Sequence, residues 1–419
     1  MKVLVVGSGG REHAIVWKLS QSQRVDKIYC APGNGGISEY AECLNIDALD
    51  TQSMVKVCKE KKIDLVVVAP DDPLAMGMVN DLTEAGIRAF GPTREAALIE
   101  SSKSFSKNLM KKYGIPTAKF ETFSNIEKAL SYIENQKYPL VVKADGLALG
   151  KGVIICNAET EAREAIINMM AQKKFGDAGN TIVIEEFLSG PEVSVLSFTD
   201  GKTIVPMVSA QDHKRVFDGD KGPNTGGMGA FSPSNVYTEE MAEFCMNKIY
   251  RPTIEAMNKE GRTFKGVLYF GLIITEDGPK VLEYNARFGD PETQVVLPRL
   301  KSDLLDIIEA IIDERLHEIK IEWDNSACLC VIMASGGYPQ NYRKGLKISG
   351  LNATQKEKDI LVFHAGTKKA DNEFFTNGGR VLGITALGQT LKEARDKAYR
   401  QVSAIHFDGA HYRRDIGNF

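Results

Sequence analysis

The chain has few of the features that mark whole classes of protein. Its seven cysteines, scattered through 419 residues, are odd in number and contain no CxxC pair. Neither a disulfide framework nor a zinc ribbon is written into it, and reduced, mostly buried thiols in a cytoplasmic protein are the expectation. Cys328 and Cys330 share one face of an apolar strand, but the sequence supplies no partner ligands near them, so no metal site is expected there. There is no basic excess: the net charge is −3, which offers no field to attract nucleic acid or a membrane surface. The run Lys59-Glu60-Lys61-Lys62 is mixed in sign and reads as a solvated helix face. No apolar stretch approaches the length of a membrane span. The opening Met1-Lys2-Val3-Leu4-Val5-Val6-Gly7 is too short for a signal sequence and reads as a buried strand. Internal repeats, low-complexity segments and a Ser or Cys nucleophile motif are also missing. What remains is an ordinary globular composition, 43% apolar and 26% charged, in a chain long enough for roughly two to four domains.

The first hundred residues alternate strand, turn and helix: Val3 to Val6, a helical period from Glu12 to Ser20, Ile28 to Ala31, then Asp64 to Ala69. This predicts a parallel α/β domain over 1–101. The pattern breaks near Gly91-Pro92-Thr93. Beyond it, a helical stretch with Lys103 and Lys107 leads to a stop at Tyr113-Gly114-Ile115-Pro116. Short strands then alternate with a few helices, which predicts an α+β domain over 102–324. A last unit over 325–419 has strands at Ala327 to Ala334 and Arg380 to Ala386 and a closing helix from Leu391 to Ile405.

Four segments carry candidate chemistry. In Leu282-Glu283-Tyr284-Asn285-Ala286-Arg287-Phe288-Gly289-Asp290-Pro291-Glu292-Thr293-Gln294, strand alternation puts Glu283 and Asn285 on one face, where their oxygens suit a hard cation. Gly7-Ser8-Gly9-Gly10-Arg11-Glu12 follows a strand and opens a helix, the context of a dinucleotide fingerprint. Glu12 occupies the place of the third glycine, however, and Ala31-Pro32-Gly33-Asn34-Gly35-Gly36 replaces the acidic end of the second strand. A nicotinamide cofactor is therefore not expected, and exposed N–H groups at a helix start favour an anion such as a sugar phosphate. Lys143-Ala144-Asp145-Gly146-Leu147-Ala148-Leu149-Gly150-Lys151-Gly152 lacks P-loop spacing but could fold over a triphosphate, with Lys143 and Lys151 neutralising charge. Glu185-Glu186-Phe187-Leu188 and Glu192 could meet a purine edge and a ribose. The stretch from Gln211-Asp212-His213-Lys214-Arg215 to Gly226-Gly227-Met228-Gly229 reads as a glycine-rich substrate loop.

Together these pieces resemble the phosphoribosylamine–glycine ligase family of the ATP-grasp superfamily, and the resemblance spans the chain. Its most specific parts are Arg287 to Gln294, the Gln211 to Gly229 loop, Gly9-Gly10-Arg11-Glu12-His13, Pro32-Gly33-Asn34-Gly35 and Gly337-Tyr338-Pro339. The resemblance implies an N-terminal parallel α/β domain holding the phosphoribosyl substrate, an ATP-grasp domain with a mobile lid at about 120–192, and a C-terminal α/β domain closing the site. It implies that Glu283 and Asn285 bind Mg²⁺ or Mn²⁺. It assigns Lys103, Lys143, Gly150, Lys151, Glu185, Glu186, Leu188 and Glu192 to ATP, and Gly9, Gly10, Arg11, Asn34, Gly35, Asp212, Lys214, Gly226 and Arg287 to substrates. Arg287, Asp290 and Asp212 become the candidate catalytic residues. The implied reaction is ATP-dependent joining of glycine to 5-phosphoribosylamine through glycyl phosphate, by a cytoplasmic monomer of the purine pathway with no nucleic-acid partner. One departure from the family pattern is Ala69-Pro70-Asp71-Asp72-Pro73-Leu74, where Gly-Pro-Glu is usual; an acidic residue remains.

Overall fold

The computed structural model describes residues 1–147, 152–351 and 359–418. Lys2–Gly7 is the middle strand of a five-stranded sheet in the order Glu42–Cys43, Lys27–Pro32, Lys2–Gly7, Leu65–Val68, Ala89–Phe90, every pair parallel. Its alternate residues feed two different cores, as a period of two requires. Leu4 and Val6 pack with Met54 and Val57 of the helix Thr51–Lys61, and Val3 and Val5 with Ala14, Ile15 and Leu19 of the helix Gly10–Leu19. Both faces are covered, which explains why these strands read as unbroken apolar runs. Each such side chain, fully buried, contributes about 1.5–3 kcal/mol.

The middle of the chain forms two antiparallel sheets. One runs Phe120–Phe123, Ile182–Glu186, Leu140–Ala144, Val153–Cys156 and has its own core with the helices Ile126–Ile133 and Glu159–Ile166. The other runs Ile204–Pro206, Glu192–Thr199, Gly266–Thr275, Gly278–Asn285. In its last pair Gly271 faces Glu283 while Leu272 faces Val281, so Leu282 is an extra residue. Such a bulge leaves a backbone carbonyl free of the ladder.

A third antiparallel sheet joins distant parts of the sequence in the order Gln211–Asp212, Gly229–Ser232, Ala327–Ala334, Arg380–Gly388, Ile360–His364, with the helix Leu391–Ala404 packed on it. The segment expected to be a glycine loop thus supplies two strands to the C-terminal sheet. It also contains a hairpin, Arg215–Phe217 with Lys221–Asn224, that turns through positive φ at Gly219 (66°) and Asp220 (52°). Arg413, only 1% exposed, pins that hairpin by donating to Asp220 Oδ1 at 2.7 Å and to the Arg215 carbonyl at 3.1 Å. These are tertiary contacts across nearly two hundred residues, which local pattern does not reveal.

The N-terminal and C-terminal units touch directly. The His364 N–H donates to His13 Nδ1 at 2.8 Å, the Asn34 amide donates to the carbonyls of Ser8 and His364, each at 2.8 Å, and the Gly35 N–H donates to the Thr367 carbonyl at 3.1 Å. Burial, then the neighbouring His364, pushes the His13 pKa well down, so a neutral ring accepts at Nδ1. No described helix is long and apolar enough to cross a membrane.

Candidate active site

The fold brings the separate motifs to one place. The strand Gly278–Asn285 delivers Glu283 and Asn285 on either side of the buried Tyr284. Four cations, those of Lys214, Lys143, Lys103 and Arg287, surround Glu283. Burial works against its charge and they outweigh it, holding its pKa below the usual carboxylate value. Among the described residues its carboxylate has no hydrogen bond or ion pair, and Asn285 Oδ1 accepts only from Arg287 Nη2 at 3.2 Å. One ionised carboxylate and one amide oxygen are too few for a closed metal cage, and no described group of three or more His, Cys, Asp or Glu could hold an ion alone. The hard oxygens of these two side chains fit Mg²⁺ or Mn²⁺ shared with nucleotide phosphates, because such ions take a few protein ligands and complete their shells from phosphate and water.

The lysines tie the sheet that contains Leu140–Ala144 to this strand. Lys143 Nζ donates to the Leu282 carbonyl at 3.3 Å, the carbonyl that the bulge frees, and lies 3.0 Å from Glu185 Oε2. Lys107, 2% exposed, reaches the same oxygen at 2.9 Å and Thr117 Oγ1 at 2.7 Å. Its pKa falls to about 8, with burial lowering it against the opposing Glu185 charge. Removing one member of a buried pair of this kind costs about 3–5 kcal/mol, so the cluster holds structure as well as charge. Glu185 Oε1 is buried without a hydrogen-bond partner and remains a free acceptor. Lys103 Nζ donates to the Gly146 carbonyl at 2.8 Å, and burial lowers its pKa against the Glu283 charge.

The other candidates for the nucleotide divide. Glu186 Oε1 is occupied by the Lys119 N–H at 2.9 Å, and Glu192 pairs with Lys214 at 2.7 Å. Leu188 is half-buried just past the strand end. Gly150 and Lys151 lie outside the described residues.

Arg287 sits between Glu100 Oε1, 3.1 Å from its Nη2, and Asn285, with its Nε buried and unpartnered. Its pKa rises against burial because of Glu100 and Asp71. Asp71, in the segment that departs from the family pattern, is held low despite burial by Arg287 and Arg11. Asp212 and Asp290 differ in environment. Burial raises the Asp212 carboxyl to about 7, assisted by the charges of Glu292, Glu192 and Glu283 against Lys214. Burial also opposes the Asp290 charge, but Arg380 and Arg11 prevail and keep it below the ordinary value. Lys214 is shifted up by Glu192, Asp212 and Glu283 in spite of its burial.

Asp290 forms part of a cavity of about 320 Å³ between the N-terminal and C-terminal units, lined also by Ser8, Gly9, Gly33 and Asn34 and by Tyr338, Ala365, Gly366, Thr367, Asn377, Gly378 and Arg380. Of the N-terminal candidates, Gly9 and Asn34 line this cavity. Gly10 packs against Gln294, and Arg11 turns beneath the loop to Glu12 Oε1 at 2.6 Å and the Phe288 carbonyl at 3.1 Å. Gly35 is spent on the contact with Thr367. Gly226 donates to the Tyr338 hydroxyl at 3.0 Å. Arg380, Glu100 and Lys107 carry no motif of their own, and sequence reading gave them no role; Glu292 lay inside the Arg287 to Gln294 motif but was given no role of its own. Arg380 lies 90 residues from Asp290, whose carbonyl it contacts, inside a stretch that reads only as an apolar strand.

Known proteins resemble the chain in each of its three parts. Models of phosphoribosylglycinamide synthetase match the chain in three parts: the N domain over 1–100, the ATP-grasp (A) domain over 101–293 and the C domain over 328–419. A phosphoribosylamine–glycine ligase of Halalkalibacterium halodurans is 51% identical over 418 residues, covering 100% of this chain and 97% of that protein. The crystal structure of the Thermotoga maritima phosphoribosylamine–glycine ligase superposes with a TM-score of 0.84 at 34% identity, covering 99% of this chain and 100% of that one. The biotin carboxylase domain of Hydrogenobacter thermophilus 2-oxoglutarate carboxylase, solved with MgADP, shares the fold at a TM-score of 0.76 and 17% identity, over 98% of this chain and 91% of that one. The chain belongs to the phosphoribosylglycinamide synthetase family.

Proposed function

We propose that this protein joins glycine to 5-phosphoribosylamine with cleavage of ATP to ADP and phosphate, giving glycinamide ribonucleotide for purine synthesis. The observation that carries the reading is one constellation: Glu283 and Asn285 within a ring of Lys103, Lys143, Lys214 and Arg287, beside Asp212 and an interdomain cavity. No Ser or Cys nucleophile is needed, because a carboxylate can be activated by phosphorylation. A glycine carboxylate oxygen attacks the γ-phosphorus, ADP leaves, and glycyl phosphate forms. The amine nitrogen of phosphoribosylamine then attacks the glycyl carbonyl, phosphate departs and the nitrogen gives up a proton.

Phosphoryl transfer depends on charge neutralisation and in-line placement. Lys103 and Lys143 suit the nucleotide phosphates, and Glu185, Glu186 and Leu188 suit the adenine edge, with Glu192 for the ribose. A divalent cation held by Glu283 and Asn285, Mg²⁺ or Mn²⁺, supplies further neutralisation of the phosphate charge when bound. Arg287 has a buried, unpartnered Nε and a planar fork, which fits a substrate carboxylate or acyl phosphate oxygen. Asp212, raised to about 7, is matched to accepting the amine proton near neutral pH. Asp290, kept ionised, is an anchor for sugar hydroxyls or an ammonium rather than a base. The lid over about 120–192 has a clear purpose, since acyl phosphates hydrolyse readily and closure excludes water. The domain roles follow: 1–101 with its Gly9 and Asn34 loops for the phosphoribosyl group, 102–324 for ATP and glycine, 325–419 as the wall that closes the cavity. The protein acts as a cytoplasmic monomer in this reading.

The test is ADP release with ATP, glycine and freshly generated phosphoribosylamine, each omitted in turn. Fast release only with all three present is expected. Release indifferent to glycine would point to another carboxylate, and bound ATP without any release would point to a nucleotide-binding regulator.

A further inference from the structure

We propose that Arg380, from the C-terminal unit, is a positioning residue for the amine substrate: it fixes the Asp290 carboxylate and the Gly226–Gly227 turn to each other at the wall of the interdomain cavity. The inference rests on the reaction proposed above and adds to it a dependence of the second chemical step on the C-terminal unit.

Three segments, far apart in sequence, meet on one guanidinium. Arg380 Nη1 donates to the carbonyls of Gly226 at 2.5 Å, Asp290 at 2.9 Å and Gly227 at 3.4 Å, and Nη2 lies 3.1 Å from Asp290 Oδ2. Gly227 is at φ 109° with Pro291 against it, so the two turns are in van der Waals contact as well. A planar fork with several fixed donors can hold a carboxylate and neighbouring carbonyls together, whereas one ammonium cannot serve them all. The other Asp290 oxygen, Oδ1, accepts from Gln294 Nε2 at 2.7 Å. The carboxylate is therefore held at both ends, while Asp290 and Arg380 both line the cavity. Charge from Arg380 and Arg11 keeps it ionised, so it can receive a hydroxyl or ammonium donor in one fixed direction. Loss of Arg380 frees the turn that carries Asp290 and leaves the part-buried Asp290 and Gly227 carbonyls without this donor. That change is felt by a substrate that fills the cavity and not by an amine too small to reach it.

Hydroxylamine supplies such an amine. With ATP and glycine it should capture glycyl phosphate as glycine hydroxamate in the wild-type protein; no hydroxamate would remove the acyl phosphate reading and this inference with it. If hydroxamate forms, Arg380→Met is expected to lower kcat/KM for phosphoribosylamine by about 10²-fold, the scale for truncating one partner of a buried charge pair, while hydroxamate formation falls far less. Arg380→Lys should recover only a small part, because charge without the fork does not restore the geometry. An equal fall with both amines would make Arg380 merely structural, and an equal rate with both would leave it without a role; either result overturns the proposal. If Arg380→Met does not fold, Arg380→Gln, which keeps an N–H donor for the carbonyls but neither the charge nor the fork, decides the matter by the same ratio of the two amines.

Discussion

Glu283→Ala is expected to lower turnover by about 10³-fold or more, the consequence of losing several kcal/mol of charge stabilisation at a metal-assisted phosphoryl transfer. The size follows from the surroundings. Four cations converge on this one carboxylate, and none of the other described acids shares its place on the strand. Its removal takes away a cation ligand and at the same time leaves Lys103, Lys143, Lys214 and Arg287 repelling one another. Steady-state rates at saturating glycine and ATP measure the effect. Turnover within about threefold of the wild type would remove the metal role from Glu283.

Asp212→Asn is expected to be the second large loss, about 10²- to 10⁴-fold in the amine-dependent rate, the usual reach of a general base. The pH dependence gives it a signature. A carboxyl raised to about 7 by burial accepts a proton only when ionised, so the wild-type rate should climb through about pH 7 and level off above it. Asn cannot titrate, and the variant should lack that rise. Single-turnover amide formation followed between pH 5.5 and 8.5 measures both features. An Asp212→Asn profile that keeps the same rise would assign the titration to another group.

The general architecture was legible in the sequence because it depends on local signals. Unbroken apolar strands separated by glycine turns marked the parallel N-terminal sheet, and period-two alternation put Glu283 and Asn285 on one face of a strand, where both are half-buried while Tyr284 between them is buried. The segment from Gln211 to Gly229 was harder. Its glycines read as a loop, yet Gly229 at one end pairs with Val331, Gln211–Asp212 at the other pairs with Ala230 and Phe231, and its hairpin is fixed by Arg413 near the far end of the chain. Partners so distant leave no local trace. The same holds for Arg380 and for Glu100, which accepts from Arg287 and from the Ala286 N–H at 2.6 Å: each is a single charged residue in an unremarkable helix or strand. The bulge at Leu282 was also invisible, since one extra residue changes the register without changing the composition. The contrast between Asp212 and Asp290 could not be read from residue type at all. It arises from which cations each carboxylate meets, Lys214 opposed by three acids in one case and two arginines in the other.

The central claim is that glycine is activated as a mixed anhydride with phosphate before the amine attacks. Glycine labelled with heavy oxygen in its carboxylate tests it most directly, by mass analysis of the phosphate released in a complete reaction. Transfer of one labelled oxygen from each glycine to phosphate is the expected result. Phosphate free of label, with amide formed at the normal rate, would contradict it.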